Sequence, residues 1–177
     1  MKKYVLILFI MLLLASCAPA VVTPVTPVPT TSEMIEPGDT LGEMSFRIAK
    51  NRRDWGITFL SFCDAIETDF SPAVLTKECE LPRLGRVFIG YGISGDSVSD
   101  LDALWPTLTW EMYFDEIPVN LPAFGTIDDS YGGYKYRSWN VELEKPSPGT
   151  HTLRFVVHKL ADPAGATEMT WKITVKQ

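Results

Sequence analysis

Apolar and polar residues alternate along much of the chain with a period of two, and almost nowhere with the 3.6-residue period of a helix. The clearest run lies at 107–115, where Leu108, Trp110, Met112 and Phe114 alternate with Thr109, Glu111, Tyr113 and Asp115. That pattern predicts a half-buried strand with Trp110 as a core anchor. Trp139, Val141 and Leu143 repeat it against Asn140, Glu142 and Glu144. Leu153, Phe155 and Val157, then Met169, Trp171, Ile173 and Val175, flank the turn Asp162-Pro163-Ala164-Gly165 and predict a C-terminal hairpin. Weaker signals predict a first strand over 41–48, with Met44, Phe46 and Ile48 inward, and a second over 57–63. A short strand over 86–91 is expected to end at Gly90 and Gly92. Between them lie a polar turn at 51–54 and a mixed segment at 64–82 with room for one helical turn. Residues 94–102 and 128–133 read as loops, and Pro146-Ser147-Pro148-Gly149 as a tight turn. Short, evenly spaced strands make an all-β antiparallel sandwich the expected fold.

The front of the chain has a different pattern. Lys2 and Lys3 precede an apolar run over 4–14, followed at once by Ala15-Ser16-Cys17. A charged start, a short apolar core and a small-residue cleavage site make a secretory signal. The run is nearer a dozen residues than the twenty or so that span a bilayer. Leu14-Ala15-Ser16-Cys17 resembles the lipobox of bacterial lipoproteins. The resemblance implies cleavage before Cys17, diacylation of its thiol, and a new amino terminus there. Residues 18–37 follow as a tether, with Pro19, Pro24, Pro27 and Pro29 set among Val and Thr. Such a stretch leans to polyproline II, reaching roughly 50–60 Å from the bilayer. The expected organisation is a signal peptide over 1–16, lipidated Cys17 with a disordered Pro/Thr-rich tether over 17–37, and a sandwich over 38–177.

The remaining 140 or so residues are enough for one core, and 46% apolar content argues against disorder. Losing Lys2 and Lys3 takes the 16 basic residues to 14 against 22 acidic, a formal charge of −8. An acidic surface repels phosphate backbones, so nucleic acid is an unlikely partner. Bilayer attachment then depends on acyl chains at Cys17. Outside the cytoplasm the two other cysteines, Cys63 and Cys79, form an even pair and read as a disulfide. A loop of that length is worth roughly 3 kcal/mol.

Pro148-Gly149-Thr150-His151-Thr152-Leu153-Arg154-Phe155, with Trp171-Lys172-Ile173-Thr174-Val175 after it, resembles the last two strands of bacterial immunoglobulin-like domains. The run from Trp110 to Val119 is similar to the strand, turn and strand before them, with Asp115-Glu116 where Asp-Gly is usual. The resemblance implies an immunoglobulin-like sandwich over roughly 87–177, and no activity. Cys63 and Cys79 do not match the antibody disulfide, because Trp110 follows both rather than lying between them.

Candidate chemistry is sparse. Gly95-Asp96-Ser97-Val98 resembles the nucleophile block of GDSL-type hydrolases, but neither His151 nor His158 has Asp three residues earlier. Ser97 therefore reads as a loop residue bonded to the backbone. Asp96, Asp100 and Asp102 lack EF-hand spacing and read as a solvated loop, with calcium a minority alternative. Glu111 with Asp115, and Glu142 with Glu144, are paired carboxylates of the kind glycosidases use, and equally the outward face of a soluble strand. Two cysteines and two distant histidines make no zinc set. Trp105, Tyr131, Tyr134 and Tyr136 are the candidate ligand-binding residues, since loop aromatics stack on sugars or anchor proteins. The alternative is that they cap the ends of the core. The expectation is a non-enzymatic lipoprotein without cofactor, held to the cell or outer membrane through Cys17 and facing outward. Its partner would be a cell-surface protein or a polysaccharide, the latter bound as by a carbohydrate-binding module.

Overall fold

The computed structural model describes residues 34–49 and 57–177. The signal, Cys17, most of the tether and the turn expected at 51–54 lie outside the described residues. In chain order the strands are β1 (Thr40–Leu41), β2 (Met44–Ile48), β3 (Ile57–Thr58), β4 (Ala73–Leu81), β5 (Arg86–Gly95) and β6 (Leu108–Phe114). They continue with β7 (Ile117–Pro118), β8 (Thr126–Tyr131), β9 (Tyr134–Glu144), β10 (Gly149–Lys159) and β11 (Asp162–Val175). One sheet has the order β1-β2-β9-β5-β3, with β8 also on β9; the other runs β4-β11-β10-β6-β7. The residues that alternation points inward fill the space between. Met112, Phe114, Val141, Leu143, Phe155, Met169, Trp171 and Ile173 share one buried cluster. The fold is all-β, as the period-two pattern requires.

Several elements differ from expectation. Each sheet carries a parallel pair at one edge, β3 on β5 and β4 on β11, where the expected sheets are wholly antiparallel. The strand expected over 41–48 is a hairpin, and Ile48 at its end faces outward. The strand expected over 57–63 stops at Thr58, and Phe59–Ser61 winds into a 3-10 turn. The mixed segment 64–82 holds the nine-residue strand β4. It is an edge strand whose Thr76, Lys77, Glu78 and Glu80 stay in water, so no alternation announces it. Residues 98–104 form a helix, α1 (Val98–Leu104), rather than a loop. Ser97 Oγ accepts the Asp100 N–H, and the Asp100 carboxylate accepts the Ser97 N–H at 2.8 Å. This capping box satisfies two end donors of the helix. Residues 128–131 belong to β8, with Gly132 and Gly133 alone making the hairpin turn.

Residues 59–71 cross from the first sheet to the second and close the side of the sandwich. Phe59 is fully buried edge-on to Trp171, with ring centroids 5.4 Å apart. Trp171 Nε1–H donates to the Asp64 carbonyl at 3.0 Å, and Thr167 Oγ1–H to the Ser71 carbonyl at 2.7 Å. The expected Cys63–Cys79 disulfide is present and joins the crossing segment to β4. At the other side the Ile35 N–H donates to the Pro118 carbonyl and its carbonyl accepts the Asn120 N–H, covering β7. Leu121–Phe124 then forms the short helix α2, burying Leu121 and Phe124.

β5 does not end at its glycines. A Cβ on Gly90 would overlap the Trp139 carbonyl oxygen, and one on Gly92 the Arg137 carbonyl oxygen. Bare Cα atoms let β5 and β9 approach, so the residues that look like strand breakers permit the longest pairing in this sheet. At the β6–β7 turn Asp115 and Glu116 both have positive φ, +48° and +64°. Two such residues define a type I′ hairpin turn, here made without glycine. Arg137 of β9 donates to both carboxylate oxygens of Asp128 at 2.8 and 2.7 Å and pairs with Asp102 of α1 at 3.0 Å. The guanidinium beside Asp128 holds that carboxyl below its usual range.

Three outcomes follow. Gly90→Ala forces backbone apart and lowers urea-unfolding stability by about 3 kcal/mol or more. Glu116→Gly and Glu116→Ala both lose the exposed Arg154 contact, and the glycine variant is the more stable by about 1 kcal/mol because it carries no left-handed strain. The lowered Asp128 pKa gives stability that is present above the unfolded carboxylate value near ~4 and lost as pH falls through the folded value beneath it. Arg137→Ala therefore costs on the order of 1 kcal/mol at pH 7 and flattens the acid limb of the thermal midpoint below about pH 4.

Candidate functional site

A groove of about 790 Å³ lies over the outer face of β5 and β9, between them and the crossing segment. β3 pairs only with Val87 and Phe88. Past that point the chain of β3 turns into the crossing segment. Among the described residues no strand pairs with the outer edge of residues 89–95. The crossing segment forms one wall, with Leu60, Glu67, Asp69 and Phe70 lining the groove. Its floor is small and polar, made of Gly90, Gly92 and Ser94 on β5 and Ser138 and Asn140 on β9. Tyr136 lines it further along, and Ile127 and Leu104 bound it.

The wall is held in place from inside. Tyr91 packs its ring against Trp110, Phe155 and Trp171 and donates its hydroxyl to the Ile66 carbonyl. Burial, with the Glu67 carboxylate nearby, pushes the Tyr91 hydroxyl up to about 12, so it remains a donor at any physiological pH. Asp69 accepts the Ser71 N–H and hydroxyl, each at 2.9 Å. Those two bonds, aided by Lys159, keep its carboxyl below the usual range. Glu67 is exposed and has no ion-pair partner among the described residues.

The four aromatics singled out in the sequence occupy three different places. Trp105 is half-buried beneath α1, stacked on Trp110 at 5.4 Å and packed on Trp139 at 5.5 Å. Tyr131 and Tyr134 face each other across the tip of the β8–β9 hairpin, 76% and 51% exposed. Tyr136 lines the groove. Trp105 therefore shares no strip with the tip tyrosines. The other candidates are accounted for by packing. Ser97 and Asp100 cap α1, and Asp102 pairs with Arg137. Glu142 is buried beside Arg86, and Glu111 accepts the Tyr113 hydroxyl. His158 lies 3.1 Å from the Gly165 carbonyl through Nδ1.

One constellation has no local signature in the sequence. His151 Nδ1 lies 2.7 Å from Asp115 Oδ2, and its Nε2 lies 3.1 Å from Ser147 Oγ. Those are the residue types and distances of a nucleophilic triad. The surroundings do not match. The residue after Ser147 is Pro148, which has no N–H to offer an oxyanion. His151 Nε2 is also 3.0 Å from the Ser147 carbonyl, and Asp115 accepts the Thr152 N–H at 2.8 Å. Phe114 stacks on the imidazole at 5.4 Å. The group ties the β6–β7 turn to the turn before β10. Asp115 and His151 stand 36 residues apart, so only the fold brings them together.

No family model matches the chain, and no curated protein matches it. Among solved structures it is similar to PbICP-C in complex with falcipain-2, at 14% identity and TM-score 0.38, over 68% of this chain and all of that one. It is also similar to the cysteine protease inhibitor EhICP2 from Entamoeba histolytica, at 10% identity and TM-score 0.31, over 62% of this chain and all of that one. A third likeness, to amebosin, has 11% identity and TM-score 0.23, over 58% of this chain and 96% of that one. Likeness this loose transfers neither a ligand nor an activity.

Proposed function

We propose that this protein is a non-enzymatic binding module, tethered outside the cytoplasm by an acylated Cys17, that receives its ligand in the β5 groove. The observation that carries the reading is the groove itself, where unpaired strand backbone, a floor of small side chains and a wall pinned by Tyr91 and the disulfide meet in one place. Preformed concave sites with a few polar groups are where ligands bind. The lipobox pattern and the proline-rich stretch after it support the anchor and its reach. A second reading is a carbohydrate-binding module that uses the hairpin tip, favoured by the exposure of Tyr131 and Tyr134.

Cys17→Ser is expected to move the protein from the membrane fraction to the soluble one, with loss of the acyl mass at the amino terminus. A soluble fraction unchanged by the substitution removes the anchor. Retention on washed cell-envelope material then separates the two sites. Ser138→Trp fills the groove floor and is expected to lower retention at least tenfold, while Tyr131→Ala with Tyr134→Ala changes it less than twofold. The reverse pattern transfers the site to the hairpin tip.

A further inference from the structure

The edges of the two sheets are guarded unequally. β1 and β7 are two residues long, and β7 is covered by Ile35 and ends in Pro118. β4 is long, but its outer positions carry Lys77, Glu78 and Glu80, paired with Asp64, Lys172 and Lys176. Short strands, prolines and charges are the devices that keep strand edges from pairing with other chains. β5 has none of them. Between Val87 and Gly95 it contains no charge and no proline, and β3 shields only its first turns of backbone. The remaining edge, residues 89–95, is about 20 Å long at strand rise. It faces a wall whose Leu60 and Phe70 are apolar and whose Glu67 carboxylate has no ion-pair partner among the described residues, while the Asp69 carboxylate accepts from Ser71 and has Lys159 nearby.

We propose that the open edge of β5 takes up one extended polypeptide segment by strand addition, its alternate apolar side chains standing on the outer face beside Gly90 and Gly92 and a Lys or Arg meeting Glu67. Main-chain bonds to residues 89–95 supply affinity and the floor supplies register. The small floor matters because a strand added here stands every second side chain on the outer face, next to Gly90 and Gly92, where β5 itself places no side chain. The unpaired carboxylate selects a basic residue, on an otherwise acidic protein. The inference rests on the groove being the binding site and adds what binds and how.

The test uses the full chain carrying Cys17→Ser. In the free protein, alternate amides of residues 89–95 should exchange at least about 100-fold faster than their neighbours bonded to β9. Uniform protection there overturns the proposal without any ligand. A displayed library of random heptapeptides should then enrich sequences with apolar residues at alternate positions and one Lys or Arg, relative to the Ser138→Trp protein. Backbone N-methylation of an enriched peptide at one set of alternate amides should weaken binding more than tenfold, and at the other set less than twofold. Glu67→Gln should remove the basic preference and weaken binding about threefold to tenfold. Equal sensitivity to both methylation patterns overturns strand addition and leaves the groove as a side-chain site. Failure to enrich any peptide, with envelope retention still lost in Ser138→Trp, overturns a polypeptide partner and leaves a polysaccharide in the same groove.

Discussion

Two strands can lie as close as β5 and β9 do only where one of them has nothing to put between the backbones. Gly90 and Gly92 meet that condition against the carbonyl oxygens of Trp139 and Arg137. The same absence of side chains does two further things. It sets Val141 and Leu143 opposite Ile89 and Val87 along a continuous ladder, keeping the inner face of this sheet apolar and buried. It also leaves the opposite face bare, which is the floor of the groove. A core requirement and a surface feature are thus one choice of residue, and neither can be altered without the other.

Trp171 organises the other sheet in a comparable way. It is fully buried, edge-on to Phe59 and Phe155, tilted against Tyr91, and tied through its indole N–H to the carbonyl of Asp64. The crossing segment has little regular structure of its own beyond one 3-10 turn. It is ordered by what it touches, namely this indole, the disulfide and the Tyr91 hydroxyl. A wall fixed by three long-range contacts presents a ligand with a ready shape, so less ordering remains to be done on binding.

Legibility in the sequence followed how many faces of an element are buried. β6, β9, β10 and β11 alternate cleanly and were readable, because one face of each packs on the core and the other meets water or short polar neighbours. β4 was not, because an edge strand in a charged register carries only Leu75, Cys79 and Leu81 as apolar inward positions. α1 was hidden by its own cap, since Ser97 and Asp100 look like loop residues until a helix starts behind them. The Cys63–Cys79 pair needed only compartment and parity. The groove was invisible in advance: it is defined by where β3 stops pairing, and nothing in Ile57-Thr58-Phe59 marks that point. Of the candidate aromatics only Tyr136 lines it.

The sheet order has a bearing on how the molecule comes into being. β2 and β5 both pair with β9, and β4 pairs with β11, whose last residues lie near the carboxyl end of the chain. A polypeptide made from its amino end can therefore pair β2 and β5 with β9 once Glu144 has been added, whereas β4 has no ladder partner until β11 follows. The first sheet can thus form ahead of the second, and until β11 is added the face that Trp171 will cover, with β4 beside it, stays without its packing partner.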